Sequence, residues 1–250
     1  MQTLISTAAQ GAIRWLDLPG RDAPVIFIHG LGCAGSYDYP RIVTDARWCG
    51  RRAILIDLPG SGYSDKPLEY DYSTSRQARA VAEVIESLGV ASCCIYGHSM
   101  GGSIAIEVAE LLGKGVSALA VSEPNFFPGG GFYSRQIVSW SEADFAAAGF
   151  ASLVEREQSA WRGSLQATAP RALWRAARSL TQGVDPDWMT RFLALECSKA
   201  LIVGERSLPD DDAAYAAGKG VAVHTVPRAG HSMSWENPGG LAAALSAIFN

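Results

Sequence analysis

Short apolar runs alternate with longer amphipathic segments along most of the chain. The short runs are rich in β-branched residues and have the length of buried strands. Eight segments show this pattern: residues 2–7, 12–17, 25–28, 53–56, 92–96, 118–121, 200–203 and 221–226. Strands that alternate with helices predict an α/β fold, with a mostly parallel sheet covered by helices.

The segments between the predicted strands carry apolar residues at helical spacing. One such segment covers residues 74–89 and ends at a glycine, which is a common stop signal. Another starts at or just after Ser99 and runs to Leu112, where Gly113 ends it. A third helix, at 241–249, is predicted to close the chain.

The alternation stops between residues 124 and 197. This segment contains no clear buried strand, and it holds four of the seven tryptophans together with seven arginines and no lysine. We therefore expect residues 124–197 to form a helical cap, inserted between two parts of one core at 1–123 and 198–250 and lying over the edge of the sheet.

Charge and cysteine content narrow the possible functions. The formal charge of −4 and the pI of about 5.6 predict neither a nucleic-acid partner nor an anionic membrane surface. The five cysteines are odd in number and lack C-x-x-C pairs, so we expect reduced thiols in the cytoplasm, with no disulfide framework and no zinc site. The first 15 residues lack a signal-peptide pattern, and no apolar run approaches the roughly 20 residues that span a membrane.

A serine lies between glycines where the fifth predicted strand gives way to a helix. The stretch "CCIYGHSMGGSIAIEVA" places Ser99 in a G-x-S-x-G pattern between Gly97 and Gly101. Small neighbours permit the sharp turn that lifts a serine hydroxyl above the sheet. A serine is a weak nucleophile at neutral pH, so it needs a base, a group that orients the base, and N–H donors for the oxyanion.

Two further segments supply candidates for these parts. "VIFIHGLGCAGS" places Leu31 in a loop directly after a buried strand, so its backbone N–H is predicted to form an oxyanion hole with that of Met100. "VPRAGHSMSWENP" places His231 in a loop after the last strand, where the imidazole can reach Ser99 and act as its base.

Four motifs follow one another along the chain: "HGLG", "DLPGSGYSDKP", "GHSMG" and "GHSMSWENP". In these motifs and in their order, the chain resembles the α/β-hydrolase superfamily over nearly its whole length. The resemblance implies an eight-stranded, mostly parallel sheet with helices on both faces. It also implies a helical cap after the sixth strand, and a nucleophile, an acid and a base in that chain order.

The acid departs from the pattern of the superfamily. Most members carry an aspartate after the seventh strand, in a segment resembling G-x-x-D, but this chain has Ser207 there. The acidic run at 210–212, beginning with Asp210, and Glu123 at the end of the sixth strand are the candidates. We favour Glu123, because it ends a strand of the same parallel sheet as Ser99. A glutamate there is the acid in relatives such as haloalkane dehalogenases and a fungal resorcylate lactonase, whereas aspartates after Pro209 suit a helix start.

The aromatic residues of the cap are expected to form its core and, in part, an apolar substrate pocket. For the pocket we select Phe126, Phe127, Trp140 and Trp161. Three arginines, at 171, 175 and 178, lie on one face of a predicted helix. We interpret them as a solvated face, with a clamp for a substrate anion as the alternative.

These features predict a metal-independent serine hydrolase that acts on a small, partly apolar carboxylic ester or lactone. Ser99 would be the nucleophile, His231 the base and Glu123 the acid, with no cofactor. The same residues would also suit a hydrolase of carbon–carbon bonds or thioesters. A hypothesis of another class is a ligand receptor built on a hydrolase scaffold, since a fold does not fix a function.

Overall fold

The computed structural model describes residues 1–250, and its centre is one eight-stranded sheet. The strands are β1 (Gln2–Ser6), β2 (Gly11–Leu18), β3 (Arg21–Ile28), β4 (Arg51–Asp57), β5 (Cys93–His98), β6 (Val116–Ser122), β7 (Ser198–Gly204) and β8 (Ala222–Val226). Their order across the sheet is β1-β2-β4-β3-β5-β6-β7-β8. β2 pairs antiparallel with β1 and β4, and all other pairs are parallel. The predicted fold class is therefore confirmed.

Thirteen α-helices surround the sheet. Four precede β6: α1 (Gly35–Asp38), α2 (Pro40–Val43), α3 (Thr74–Ser87) and α4 (Met100–Leu112). Six lie between β6 and β7: α5 (Phe132–Val138), α6 (Glu142–Asp144), α7 (Phe150–Arg156), α8 (Trp161–Leu165), α9 (Pro170–Gln182) and α10 (Trp188–Ala194). Three follow β7: α11 (Asp211–Gly218), α12 (Met233–Glu236) and α13 (Pro238–Phe249). None of these helices has the combination of length and apolar composition that a membrane crossing requires.

Apolar side chains are buried on both faces of the sheet. Neighbouring residues of a strand point to opposite faces, so Cys93 lies in one core cluster and Cys94 in the other. The first cluster is covered by α3 and α4, and the second by α2 and α13. β3 lies between two parallel neighbours, and its residues Val25 to Ile28 have no exposed surface. This burial holds the carboxyl ends of the central strands in fixed positions.

The segment from 124 to 197, which we call the insertion, is helical and follows β6. It has a small apolar cluster of its own, which includes Phe145, Leu165 and Leu173. Its last helix, α10, is joined to the core, because the indole Nε1–H of Trp188 donates to Glu107 Oε1 on α4 over 2.9 Å. The insertion therefore has an apolar cluster of its own and is hydrogen-bonded to the core through Trp188.

Candidate active site

The turn between β5 and α4 presents Ser99 to a cavity. Ser99 has a φ of 52° and a ψ of −125°, a strained backbone conformation for a residue with a side chain. A Cβ atom at Gly97 would overlap the carbonyl oxygen of Gly101, and a Cβ at Gly101 would overlap that of Ile28. The Ser99 N–H donates to the carbonyl of Ser122 over 2.9 Å. Close backbone packing therefore explains both glycines of the G-x-S-x-G pattern.

Glu123 directly follows β6, and Ser99 directly follows β5, the strand that pairs with β6. Its Oε1 accepts the N–H of Gly204 over 2.9 Å, and its Oε2 accepts Nδ1–H of His231 over 2.7 Å. Burial alone would raise the pKa of the Glu123 carboxyl, but hydrogen bonds from His231, Gly204 and Ser207, together with the charge of His231, lower this pKa to about 2. Glu123 is therefore an anion that fixes the tautomer of His231.

His231 lies between β8 and α12, and its imidazole lines the same cavity as Ser99. Its ring packs against that of His98 in a tilted arrangement, with the ring centroids 4.7 Å apart. Burial, and next the charge of His231, lower the pKa of His98 to about 3, so His98 is neutral. No hydrogen bond joins Ser99 to His231 in this structure, and such contacts often tighten only when substrate binds.

The N–H groups of Met100 and Leu31 are the predicted donors to an oxyanion at Ser99. Met100 is the first residue of α4, so its N–H has no acceptor within the helix. Leu31 lines the cavity in the loop after β3. The carbonyl of Gly30, in the same peptide unit as the N–H of Leu31, accepts hydrogen bonds from His29 Nδ1–H over 2.8 Å and from the N–H of Cys33 over 3.2 Å. These contacts fix the direction of the Leu31 N–H.

The cavity has a volume of about 610 Å³ and lies between the core and the insertion. Aromatic side chains from both parts form much of its wall: Phe132, Tyr133, Trp161 and Trp235. The wall also contains the carboxyl groups of Asp38, Glu123 and Glu236, and it contains no lysine or arginine. Burial raises the pKa of Asp38, against the hydrogen bonds that Trp235 and Ala34 donate to it.

The cavity wall agrees only in part with the predicted pocket. Trp161 lines it, but Phe126, Phe127 and Trp140 do not, so the prediction is wrong for these three residues. Phe126 is 2% exposed and packs on Phe192 in the main core. Phe127 and Trp140 lie on the outside, 43% and 40% exposed.

Among the wall residues that were not selected from the sequence, four had a weak signal there. Trp235 follows His231 by four residues in "GHSMSWENP", and Asp38 follows the loop of Leu31 in "GLGCAGSYDYP". Phe132 and Tyr133 belong to the aromatic set of the insertion. Their contribution to the wall depends on the path of the chain through the glycines that precede them.

The arginines of α9 do not reach the cavity, so the alternative of an anion clamp is wrong. Arg175 forms an ion pair with Glu142 over 2.8 Å and also donates to the carbonyls of Leu68 and Tyr70. Arg178 lies over the ring of Trp174, which is part of the insertion. These arginines stabilise the insertion and its contact with the core.

Asp210 has a structural contact in place of a catalytic one. Its Oδ1 accepts the N–H of Ala213 over 2.7 Å and so caps the start of α11. It does not line the cavity. Nowhere in the 250 residues does a group of three or more histidine, cysteine, aspartate or glutamate side chains form a potential metal site.

Comparisons with known proteins agree with this geometry. The profile of the alpha/beta hydrolase family matches residues 25–244, and the chain belongs to this family. It is 24% identical to the esterase Rv0045c of Mycobacterium tuberculosis, over 98% of this chain and 88% of the esterase. It is 30% identical over 44% of its length to the dihydrolipoyllysine-residue acetyltransferase component of the acetoin cleaving system of Pseudomonas putida, but the match spans only 29% of that protein.

Solved structures show the same fold. The N-acyl homoserine lactonase AidH, complexed with N-butanoyl homoserine, superposes with a TM-score of 0.75 and 22% identity, over 98% of this chain and 94% of AidH. The thermophilic esterase of Thermogutta terrifontis superposes with a TM-score of 0.79 and 19% identity, over 98% of this chain and 96% of the esterase. The comparisons confirm the family and the fold class predicted from the motifs.

Proposed function

We propose that the protein is a serine hydrolase that cleaves a neutral carboxylic ester or lactone through an acyl-enzyme on Ser99. One observation carries the proposal: Ser99 stands on a strained turn facing the same cavity as His231, whose other ring nitrogen is bonded to the anionic Glu123. This is the arrangement that activates a serine hydroxyl.

The proposed chemistry assigns one step to each of these residues. Ser99 Oγ attacks the carbonyl carbon while His231 Nε2 takes the hydroxyl proton, and Glu123 stabilises the resulting imidazolium. The N–H groups of Leu31 and Met100 stabilise the oxyanion. Collapse of the tetrahedral intermediate breaks the ester bond, and His231 returns the proton to the leaving alcohol. A water molecule, deprotonated by His231, then hydrolyses the acyl-enzyme by the same steps.

The character of the cavity wall supports a neutral substrate. Aromatic rings such as Tyr133, Trp161 and Trp235 offer apolar surface for an acyl chain. Acidic residues line the wall and lysine and arginine do not, so an anionic acyl group is unfavourable there. Glu236 contributes less to this effect than Asp38 or Glu123, because it forms an ion pair with Arg206 over 2.8 Å. The esterase of M. tuberculosis, which aligns with nearly the whole chain, is named for ester hydrolysis and also supports this substrate class.

A panel of substrates tests the proposal. We expect multiple turnovers on p-nitrophenyl esters of short and medium acyl chains or on simple lactones, and labelling of Ser99 by a fluorophosphonate. The p-nitrophenyl ester of succinic acid, whose free carboxylate makes it anionic, should react about tenfold more slowly than the butyrate ester, a preference of the size that one pocket contact gives.

The other outcomes point to the alternatives. Hydrolysis of a diketone or a thioester, without turnover of any ester or lactone, would instead assign the same residues to that bond. A single slow turnover followed by binding of a protein partner would support the receptor hypothesis.

A further inference from the structure

A tryptophan of the insertion contacts the loop that contains Leu31. Trp161 is the first residue of α8, and its indole Nε1–H donates to the carbonyl oxygen of Leu31 over 3.0 Å. The same ring lies against Gly32, so closely that a Cβ atom there would be 2.9 Å from Cζ2 of the indole. Trp161 therefore contacts the loop both by a hydrogen bond and by packing.

Contacts on both sides of Leu31 limit the backbone freedom of this loop. Leu31 lies between Gly30 and Gly32, and glycine adds more backbone freedom than any other residue. Gly32 also has a φ of 68°, in the left-handed region. The peptide before Leu31 is anchored to the core by His29, which donates to the Gly30 carbonyl, and the N–H of Cys33, within the loop, donates to the same oxygen. The peptide after Leu31 is anchored by Trp161.

We propose that Trp161 is a positioning residue for the oxyanion hole, acting through the Leu31 carbonyl. This inference rests on the proposed function. With both peptides on either side of Leu31 anchored, its N–H keeps its direction while the oxyanion forms, and no reorganisation is needed at that moment. Small displacements of such groups are costly, since about 1 Å can reduce a rate by about 10²-fold.

The position of Trp161 itself depends on the insertion. Its ring packs against Tyr133 with the centroids 4.6 Å apart, and its backbone N–H donates to Ser159 Oγ over 3.3 Å. Leu165, one turn further along α8, approaches Gly32 beside it. The insertion therefore does two things at once when it packs over the cavity: it covers the substrate and it completes the support of an oxyanion donor.

The variant Trp161→Phe tests the hydrogen bond while it keeps a ring against Gly32. We expect kcat on p-nitrophenyl butyrate to fall about five- to tenfold, the effect of one ordinary hydrogen bond, with KM within about twofold. The inhibition constant of butylboronic acid, whose adduct on Ser99 has an oxygen in the hole, should rise by the same factor. The affinity for butyrate should not change.

A matched control is present in the same insertion. Trp174 also donates its indole Nε1–H to a backbone carbonyl, that of Trp140, over 2.9 Å, and it does not line the cavity. Trp174→Phe should leave kcat, KM and boronate inhibition unchanged. An unchanged kcat for Trp161→Phe, with an altered KM or an altered preference for acyl chain length, would overturn the proposal and leave Trp161 with a pocket role only.

A measurement on the wild-type protein tests the proposal without relying on the correct folding of a variant. Hydrogen exchange followed by mass spectrometry should show that butylboronic acid slows exchange in the peptide that contains Leu31 and in the peptide that contains Trp161 together. Slower exchange in the first peptide alone would contradict the coupling. If the wild-type protein hydrolyses no ester and binds no boronate, the proposed function has failed, which is a different result from either of these.

Discussion

In the core, the groups around Ser99 are held by backbone contacts, whereas in the insertion the cavity wall consists of side chains that rest on one another. The N–H of Ser99 bonds to the carbonyl of Ser122, and Gly97 packs directly on the backbone of Gly101. In the insertion, by contrast, Tyr133 is held by its packing against Trp161 and by a 3.1 Å hydrogen bond to Glu157.

This difference separates two requirements of an enzyme. Backbone contacts leave little freedom, which suits a nucleophile that must stay within a fraction of an ångström of its partners. A wall of side chains can change by substitution without moving the backbone. We therefore expect the core to determine the reaction and the insertion to determine the shape of the substrate.

The largest expected effect is that of Ser99→Ala in the core. Removing the hydroxyl removes the nucleophile, so we expect turnover to fall by about 10⁶-fold, as for the loss of a catalytic serine in a well-studied protease. Alanine adopts the same backbone conformation as serine at this position, so the melting temperature should stay close to that of the wild-type protein. Residual activity above about one per cent would mean that the nucleophile lies elsewhere.

Glu123→Gln should have the next largest effect. The amide keeps the shape of the side chain but loses the charge that stabilises His231, and it can hold the imidazole in the wrong tautomer. We expect turnover to fall by about 10⁴-fold. The control is Asp210→Asn, which changes a helix cap and should leave turnover within about twofold. The reverse order of the two effects would place the acid after β7 and refute the assignment to Glu123.

Phe126→Ala distinguishes the start of the insertion, which packs in the main core, from the part that forms the cavity wall. Phe126 is fully packed in the main core, so removal of its ring should lower the free energy of unfolding by about 3–5 kcal/mol. The relative rates for acyl chains of different length should not change. Stability is measured by denaturant unfolding and chain-length preference by a series of esters. A changed chain-length preference without loss of stability would mean that Phe126 lines the pocket.

The free energy of unfolding should decrease at acid pH, in part because Glu123 becomes protonated. Its pKa is about 2 in the folded protein, below the value of about 4.3 of an unfolded glutamate. The ionised carboxylate therefore stabilises the native state fully only above a pH of about 5, and this contribution is lost as the pH falls from there towards 2. Chemical denaturation from pH 5 to pH 2.5 should show a smaller loss of stability for Glu123→Gln than for the wild-type protein.

The smallest effect is expected from Tyr133→Ala in the cavity wall. Loss of this ring enlarges the pocket, so the ratio of rates for long and short acyl chains should rise by about tenfold. Turnover on the best substrate should fall by less than in Trp161→Phe, because Trp161 loses one packing partner but keeps its hydrogen bond to the Leu31 carbonyl. Equal losses on every chain length would argue that Tyr133 supports the fold and does not shape the pocket.

The sequence predicted the parts of the molecule that depend on local pattern. All eight strands were found, because each contains a short run of apolar or β-branched residues between turns. The turn at Ser99 follows from its glycines, and Glu123 could be selected because Ser207 occupies the position of the usual acid. In each case the physical cause lies within a few neighbouring residues.

The insertion was predictable only in outline. Most of its helices have seven residues or fewer, too short to show a period and dependent on tertiary packing for stability. Phe126 and Phe132 have the same chemistry and lie six residues apart, but the chain turns through Gly129 to Gly131 between them, where two glycines have positive φ. As a result Phe126 is buried in the core and Phe132 lies on the cavity wall.

The position of Glu123, immediately before the insertion, has a consequence for protein engineering. A chimera in which residues 124–197 were exchanged for the corresponding segment of another family member would still contain Ser99, Glu123 and His231. It would lack Trp161, however, and with it the donor to the Leu31 carbonyl. An exchanged segment must therefore bring a hydrogen-bond donor of its own to that carbonyl, in addition to a wall that fits the new substrate.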